Sequence, residues 1–166
     1  MKCAPRRSIL LSTTVLLLAA VGGCASGGES DSAAAPPVPT PSGPAVGMCR
    51  SLHKELPRRV EGLERRAVAP ASDFTAAWGD PAVQLRCGVP APDVLTPGDP
   101  DYNPHPDSAE LNGVEWVFEK QDDGYRFTTA LRKAYVEVRV PGKYAPELNV
   151  LIDLADAIKK TIPFGI

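Results

Sequence analysis

The densest run of chemistry-bearing side chains in this 166-residue chain lies at residues 99–110. Asp99, Asp101, Asn103, Asp107 and Glu110 place oxygens at positions 1, 3, 5, 9 and 12 of a ladder, the ligand spacing of a helix–loop–helix calcium loop. A hard cation would be held there by oxygens alone. Such a loop needs glycine at position 6 for its sharp turn, and this chain has Pro104, whose ring locks φ negative. Pro106 also lacks an N–H, and Pro97 and Asn112-Gly113 leave no room for flanking helices. The run is therefore read as a stiff, acidic, solvated loop, with a calcium site as the alternative. No other metal and no cofactor is expected.

His53 and His105 are the only histidines. His53 follows Leu52 on a helical pattern, at a surface or core margin, and His105 sits in the acidic loop. Neither has a serine, cysteine or carboxylate at a spacing that predicts a triad, and triads are assembled in space rather than along the chain. Trp116 alternates with Val114 and Phe118 and reads as core. Trp78, ahead of Gly79-Asp80-Pro81, reads as a loop residue that packs over the sheet edge, and is the better of the two tryptophans as a candidate for a ligand surface. Arg86, Glu115, Arg126, Glu137 and Arg139 fall on the polar side of alternating stretches. They complete that candidate surface, although cross-strand ion pairs on a solvated face explain them equally well.

A different chemistry is written near the N-terminus. Lys2, Arg6 and Arg7 precede a short apolar run from Ile9 to Val21, which ends at Gly22-Gly23-Cys24. This is the layout of a bacterial secretory signal, and the glycines before Cys24 look like a lipobox. By that resemblance Cys24 becomes the mature N-terminus and its sulfur carries a diacylglyceryl group, whose two chains give stable anchoring where one would not. A bilayer core needs about 20 apolar residues in a helix, so the run is too short to span. Arg6-Arg7-Ser8-Ile9-Leu10 also resembles a twin-arginine signal, which leaves the export route open.

Removing residues 1–23 leaves 15 basic residues against 20 acidic ones, a net charge of −5. That balance argues against nucleic acid and against a polybasic membrane patch. Residues 24–47 hold the lipidated cysteine and an Ala/Gly/Ser/Pro stretch too polar to offset its ordering entropy. It is expected to be a disordered tether reaching roughly 25–30 Å. Residues 48–166 then make one domain. Cys49 and Cys87 remain as a pair in an oxidising compartment, where a disulfide is the default. Their separation would stabilise the fold by about 4 kcal/mol in the chain-entropy model.

The positioning elements follow from periodicity. Cys49, Leu52, Leu56 and Val60 recur at helical spacing, with Pro57 ending or kinking that helix. A short strand is expected near Arg65–Val68. Val83, Leu85 and Cys87 alternate with Gln84 and Arg86, so both sulfurs point into one core. Asn112-Gly113 predicts a hairpin and Asp123-Gly124 a second tight turn. Val136, Val138 and Val140 face inward along another strand. A helix from about Pro146 to Thr161 carries an apolar stripe of Leu148, Leu151, Ile152, Ala155 and Ile158. The prediction is α+β: an antiparallel sheet of four or five strands, with N- and C-terminal helices packed on one face and Gln84, Arg86, Glu115, Glu119, Arg126, Thr128, Glu137 and Arg139 solvated on the other.

In order, Ala77-Trp78-Gly79-Asp80-Pro81, Leu85-Arg86-Cys87-Gly88-Val89, Asn112-Gly113-Val114-Glu115-Trp116, Phe127-Thr128-Thr129 and Tyr135 to Pro141 resemble an actinobacterial family of secreted proteins and lipoproteins catalogued as domain of unknown function 3515. The resemblance implies an extracytoplasmic location and one small domain, and carries over no catalytic residue. The expected role is a lipid-anchored module on the outer face of the cell membrane that binds an envelope protein, cell-wall material or a small ligand. The alternative is a cell-wall-acting enzyme with its site around the Pro90–Pro106 loop and the charged sheet face.

Overall fold

The computed structural model describes residues 37–165; the leader, Cys24 and the stretch up to Pro36 lie outside the described residues, as does Ile166. In chain order the elements are α1 (Pro44–Glu55), β1 (Arg59–Val60), β2 (Leu63–Arg66), β3 (Thr75–Trp78), β4 (Val83–Val89), β5 (Ser108–Leu111), β6 (Val114–Gln121), β7 (Gly124–Thr129), β8 (Tyr135–Pro141) and α2 (Asn149–Thr161).

Helix α1 begins with Pro44, where a missing N–H costs nothing because the first turn has no acceptors for it. It begins inside the segment expected to be tether. Residues 37–42 also lie along the domain: Pro37 O accepts from Arg86 Nη1 at 3.3 Å, and a Cβ on Gly88 would come within 2.5 Å of Pro41. The domain boundary therefore precedes residue 48. The helix stops at Glu55, with Pro57 two residues on, so Val60 is not on its stripe. Val60 instead pairs with Leu63 in the β1–β2 hairpin and is still fully buried.

The sheet has eight strands, all paired antiparallel, in the order β1-β2-β3-β4-β8-β7-β6-β5. The expected class and antiparallel pairing hold; the expected four or five strands do not. The additional strands are short ones, such as β1 and β5, whose residues do not alternate strongly enough to stand out from loop. Two meanders, β1 to β4 and β5 to β8, meet where β4 pairs with β8. The Asn112-Gly113 hairpin forms as expected, with φ of 49° and 80°. In the second hairpin Asp122 and Asp123 make the turn. Gly124 opens β7 where any Cβ would collide with the Val140 carbonyl.

The core lies between the helices and one sheet face. Cys49 and Leu52 of α1, Leu56 just past its end, and Leu151, Leu154, Ala155 and Ile158 of α2 meet Val83, Leu85, Cys87, Trp116, Val136, Val138 and Val140. Ile152, expected on the apolar stripe of α2, is 41% exposed; Val150, Leu154 and Ala157 complete the buried side instead. Cys49 and Cys87 form the expected disulfide, with Cα atoms 5.5 Å apart, tying α1 to the centre of the sheet. Lys160 of α2 reaches Glu55 of α1 at 2.8 Å, and Asp153 accepts from the Glu61 N–H at 2.7 Å. Buried Arg132 donates to the Ile162 and Gly113 carbonyls, holding the end of α2 to the β5–β6 turn.

The opposite face is only partly solvated: Arg139 is exposed and Gln84, Arg86, Glu115, Glu119 and Arg126 are half-buried, but Thr128 and Glu137 are buried. A cross-strand row runs Thr75, Arg86, Glu137, Thr128, Val117 through β3, β4, β8, β7 and β6. Thr75, Thr128, Val117 and Glu137 in it are each no more than 5% exposed. The strand order supplies the reason. The chain leaves β4 in mid-sheet and must reach β5 at the far edge, so residues 90–107 have β8, β7 and β6 to cross. Asp93 in that connection lies near enough to Arg126 to favour its charge, and Asp107 O accepts from the Phe118 N–H at 3.0 Å.

Candidate functional site

A concavity opens where the β2–β3 connection swings away from the edge of β3. Strand β2 pairs with β3 only at Trp78 and Ala77, leaving Thr75 and Ala76 without a strand beside them on that side. The cleft holds about 570 Å³ and is lined by His53, Arg65, Arg66, the apolar run Ala67, Val68 and Ala71, and by Ser72, Asp73, Thr75 and Ala76.

Arg65 organises it. Register places Arg65 opposite Trp78, so its half-buried guanidinium lies over the indole at 5.9 Å from the ring centre. Its Nη2 is 3.1 Å from His53 Nε2. A guanidinium can only donate, so Nε2 must accept, and the neutral ring therefore carries its proton on Nδ1. That Nδ1 is buried, with no partner in good hydrogen-bond geometry among the described residues. Burial and then the Arg65 charge lower the His53 pKa below 6.5, opposed more weakly by Asp73 and the Thr75 main chain. Burial likewise lowers the Arg65 pKa, and no carboxylate among the described residues offsets it. The neighbouring cations do have acids: Arg50 lies 3.7 Å from Asp73, and Arg66 3.6 Å from Asp80. Ser72 Oγ accepts from the Phe74 N–H at 3.1 Å, which ties it to the loop rather than to His53.

The residues singled out from sequence are placed differently. Trp78 is not a surface residue. It is fully buried in β3, with Arg65 of β2 over its ring and Nε1 donating to Pro57 O, past the end of α1, at 3.1 Å. Arg86 and Glu137 form a two-pronged pair at 3.0 and 2.8 Å, and Arg139 Nε adds a contact to Glu137 at 3.4 Å. Arg126 pairs with Glu119 at 3.0 and 2.5 Å, which raises the Arg126 pKa. These charges thus satisfy one another across strands. Arg126 and Arg139 stand directly opposite; Arg126 has Glu119 to itself, while Arg139 shares Glu137 with Arg86. Glu115 is half-buried opposite Glu110 on the β5–β6 pair, away from that network.

The acidic loop does not gather its ladder. Asp99 and Asp101 converge with Asp93, their oxygens within 4.8 Å of one another. Asn103 is turned to its own loop, accepting from the His105 N–H at 2.9 Å. Asp107 and Glu110 run into β5, and His105 is exposed. Asp93 lies outside the ladder, and it is brought in by a one-turn helix, Asp93–Leu95, against which the 99–103 turn folds.

Of the cleft, sequence reading had marked only His53. A helix residue and a strand residue twelve positions apart carry no joint signal. The charged Arg65-Arg66 pair could have shown only that one arginine must face the core side. No helix among the described residues is long and apolar enough to cross a membrane. No curated protein and no solved structure matches the chain. A family model described as "Protein of unknown function (DUF3515)" matches residues 7–165, so nearly the whole chain, the candidate cleft included, belongs to the DUF3515 family.

Proposed function

We propose that this chain is a lipoprotein of the outer face of the cell membrane: Cys24 carries the diacylglyceryl anchor, and the domain beyond it is a binding module for an envelope protein, a cell-wall component or a small ligand. The observation that carries the reading is Cys24 behind Gly22-Gly23 at the end of a short apolar leader. Two further facts support it. The family match starts at residue 7, so it takes in the leader and Cys24. The Cys49–Cys87 disulfide sits fully buried in the core, which suits a chain that folds in an oxidising compartment. Pro37 and Pro41 lie against Arg86 and Gly88, so in this reading the spacer after Cys24 is shorter than a tether running to residue 47.

A binding role fits the cleft better than acid–base catalysis. The cleft offers one carboxylate, Asp73, already beside Arg50, and a histidine occupied by an arginine. The test is the mass of the mature N-terminus and the cell fraction that retains the protein. A diacylglyceryl-cysteine N-terminus, and release of Cys24→Ala from the membrane fraction, are expected. An unmodified N-terminus on membrane-free protein would overturn the anchor. Crosslinking in intact cells should recover the domain joined to envelope material; recovery of the free protein alone would count against a binding module.

A further inference from the structure

We propose that the cleft between α1 and the β2–β3 connection binds a monoanionic carboxylate bearing a small aliphatic group, with Arg65 as the recognition residue and His53 as a positioning residue. This deepens the binding-module reading and rests on it, but not on the lipid anchor. Three observations carry it.

The first is charge. Among the described residues the cleft's other arginine, Arg66, and neighbouring Arg50 have acid partners, and Arg65 has none. A guanidinium taken half out of water without a counter-charge is an unusual arrangement, and an incoming anion would complete it. One unbalanced cation calls for one negative charge. Asp73 at the rim would repel a second, which favours a carboxylate over a phosphate dianion.

The second is order. Arg65 is laid on the Trp78 ring and bonded through Nη2 to His53, while Trp78 is itself fixed to Pro57 O. The guanidinium plane is thus set before any ligand arrives, and its remaining N–H groups have no acceptor among the described residues. Little side-chain freedom remains to be lost on binding. His53 serves by accepting, which it can do only while neutral.

The third is shape. Ala67, Val68 and Ala71 give the cleft a short apolar wall beside Arg65, and its volume of about 570 Å³ falls within the range of small-ligand sites. A carboxylate on Arg65 would lay a methyl-sized neighbour against that wall.

The chain has two tryptophans, and only Trp78 lies under Arg65. The experiment is a titration of the oxidised, full-length protein in detergent with N-acetyl-alanine, following both indole N–H signals by NMR. The Trp78 signal should move and saturate at roughly millimolar concentration, with Trp116 still. N-acetyl-alaninamide should move neither. Arg65→Gln should weaken binding by at least about tenfold, and Arg65→Lys should weaken it too, having lost the planar fork. His53→Leu should weaken binding, while His53→Gln, whose amide oxygen can accept, should restore it. The proposal is overturned by a Trp78 signal that does not saturate, by equal effects of the acid and its amide, by unchanged binding in Arg65→Gln, or by inorganic phosphate binding more tightly than the carboxylate. None of these results depends on the N-terminus, so a missing lipid at Cys24 and a failed titration are separate findings.

Discussion

Replacing Arg86 by methionine tests the central ion pair of the second sheet face. Glu137 has a side-chain exposure of 7%, and both its oxygens are held by Arg86, whose own side chain is 19% exposed. Removing one partner of a buried pair leaves an uncompensated charge and costs about 3–5 kcal/mol. Arg139 remains 3.4 Å away, but it is half exposed and screened by water, so it offsets only part of the loss. The expected cost of Arg86→Met is therefore about 3 kcal/mol. Glu137→Leu, which strands an arginine able to reach water, should cost about 2 kcal/mol. The double variant should lie within about 1 kcal/mol of the parent, because apolar side chains of similar volume then replace the pair. Urea unfolding of the oxidised full-length protein reads all three. The single arginine variant should lower the midpoint by roughly 1.5 M at an ordinary slope, and the cycle should give a coupling of at least about 2 kcal/mol. If Arg86→Met costs less than about 1 kcal/mol, or if the two losses simply add, this face is solvated and the path assigned to residues 90–107 is wrong.

The two tryptophans should respond unequally. Both are fully buried, but Trp78 Nε1 donates to Pro57 O, whereas Trp116 Nε1 has no partner among the described residues. Trp78→Phe should therefore cost about 1 kcal/mol more than Trp116→Phe in the same unfolding assay. Cys49→Ala/Cys87→Ala should lose about 4 kcal/mol for a crosslink spanning 38 residues, read as a reduced midpoint relative to the oxidised parent. His53 contributes a pH dependence of known sign. Its pKa is lowered by burial and Arg65, so the unfolded chain takes up the proton first as pH falls below 6.5. Stability should be full above that value and decline as pH drops through the folded-state pKa, with Asp73 and the Thr75 main chain limiting the fall. His53→Gln should flatten that part of the profile, and an unchanged slope would show that His53 is not held neutral. Gly124→Ala should destabilise by more than about 2 kcal/mol, since its Cβ has nowhere to go against the Val140 carbonyl.

Much of the architecture was legible because it rests on local periodicity. Val83-Gln84-Leu85-Arg86-Cys87 and Val136 to Val140 alternate strongly enough to assign a strand and its core side. Asn112-Gly113 names its own turn, and α2 shows its buried face within one or two residues. The disulfide was legible for the same reason, since two independent patterns aimed both sulfurs inward.

What no local pattern could settle was the neighbour of each strand. The placing of β4 beside β8, rather than beside β5, obliges residues 90–107 to cross the sheet, and Glu137, Thr128 and Val117, on the row expected to face water, are buried. The same long-range pairing of β2 with β3 carries Trp78 from an expected loop into the core and lays Arg65 on it beside His53. The sequence by itself thus determined which residues shun water along each segment, because that is a property of side chains a few positions apart. Only the tertiary structure decided which polar residues are also buried and which charge lacks a partner, because both depend on contacts between segments that are distant in the chain.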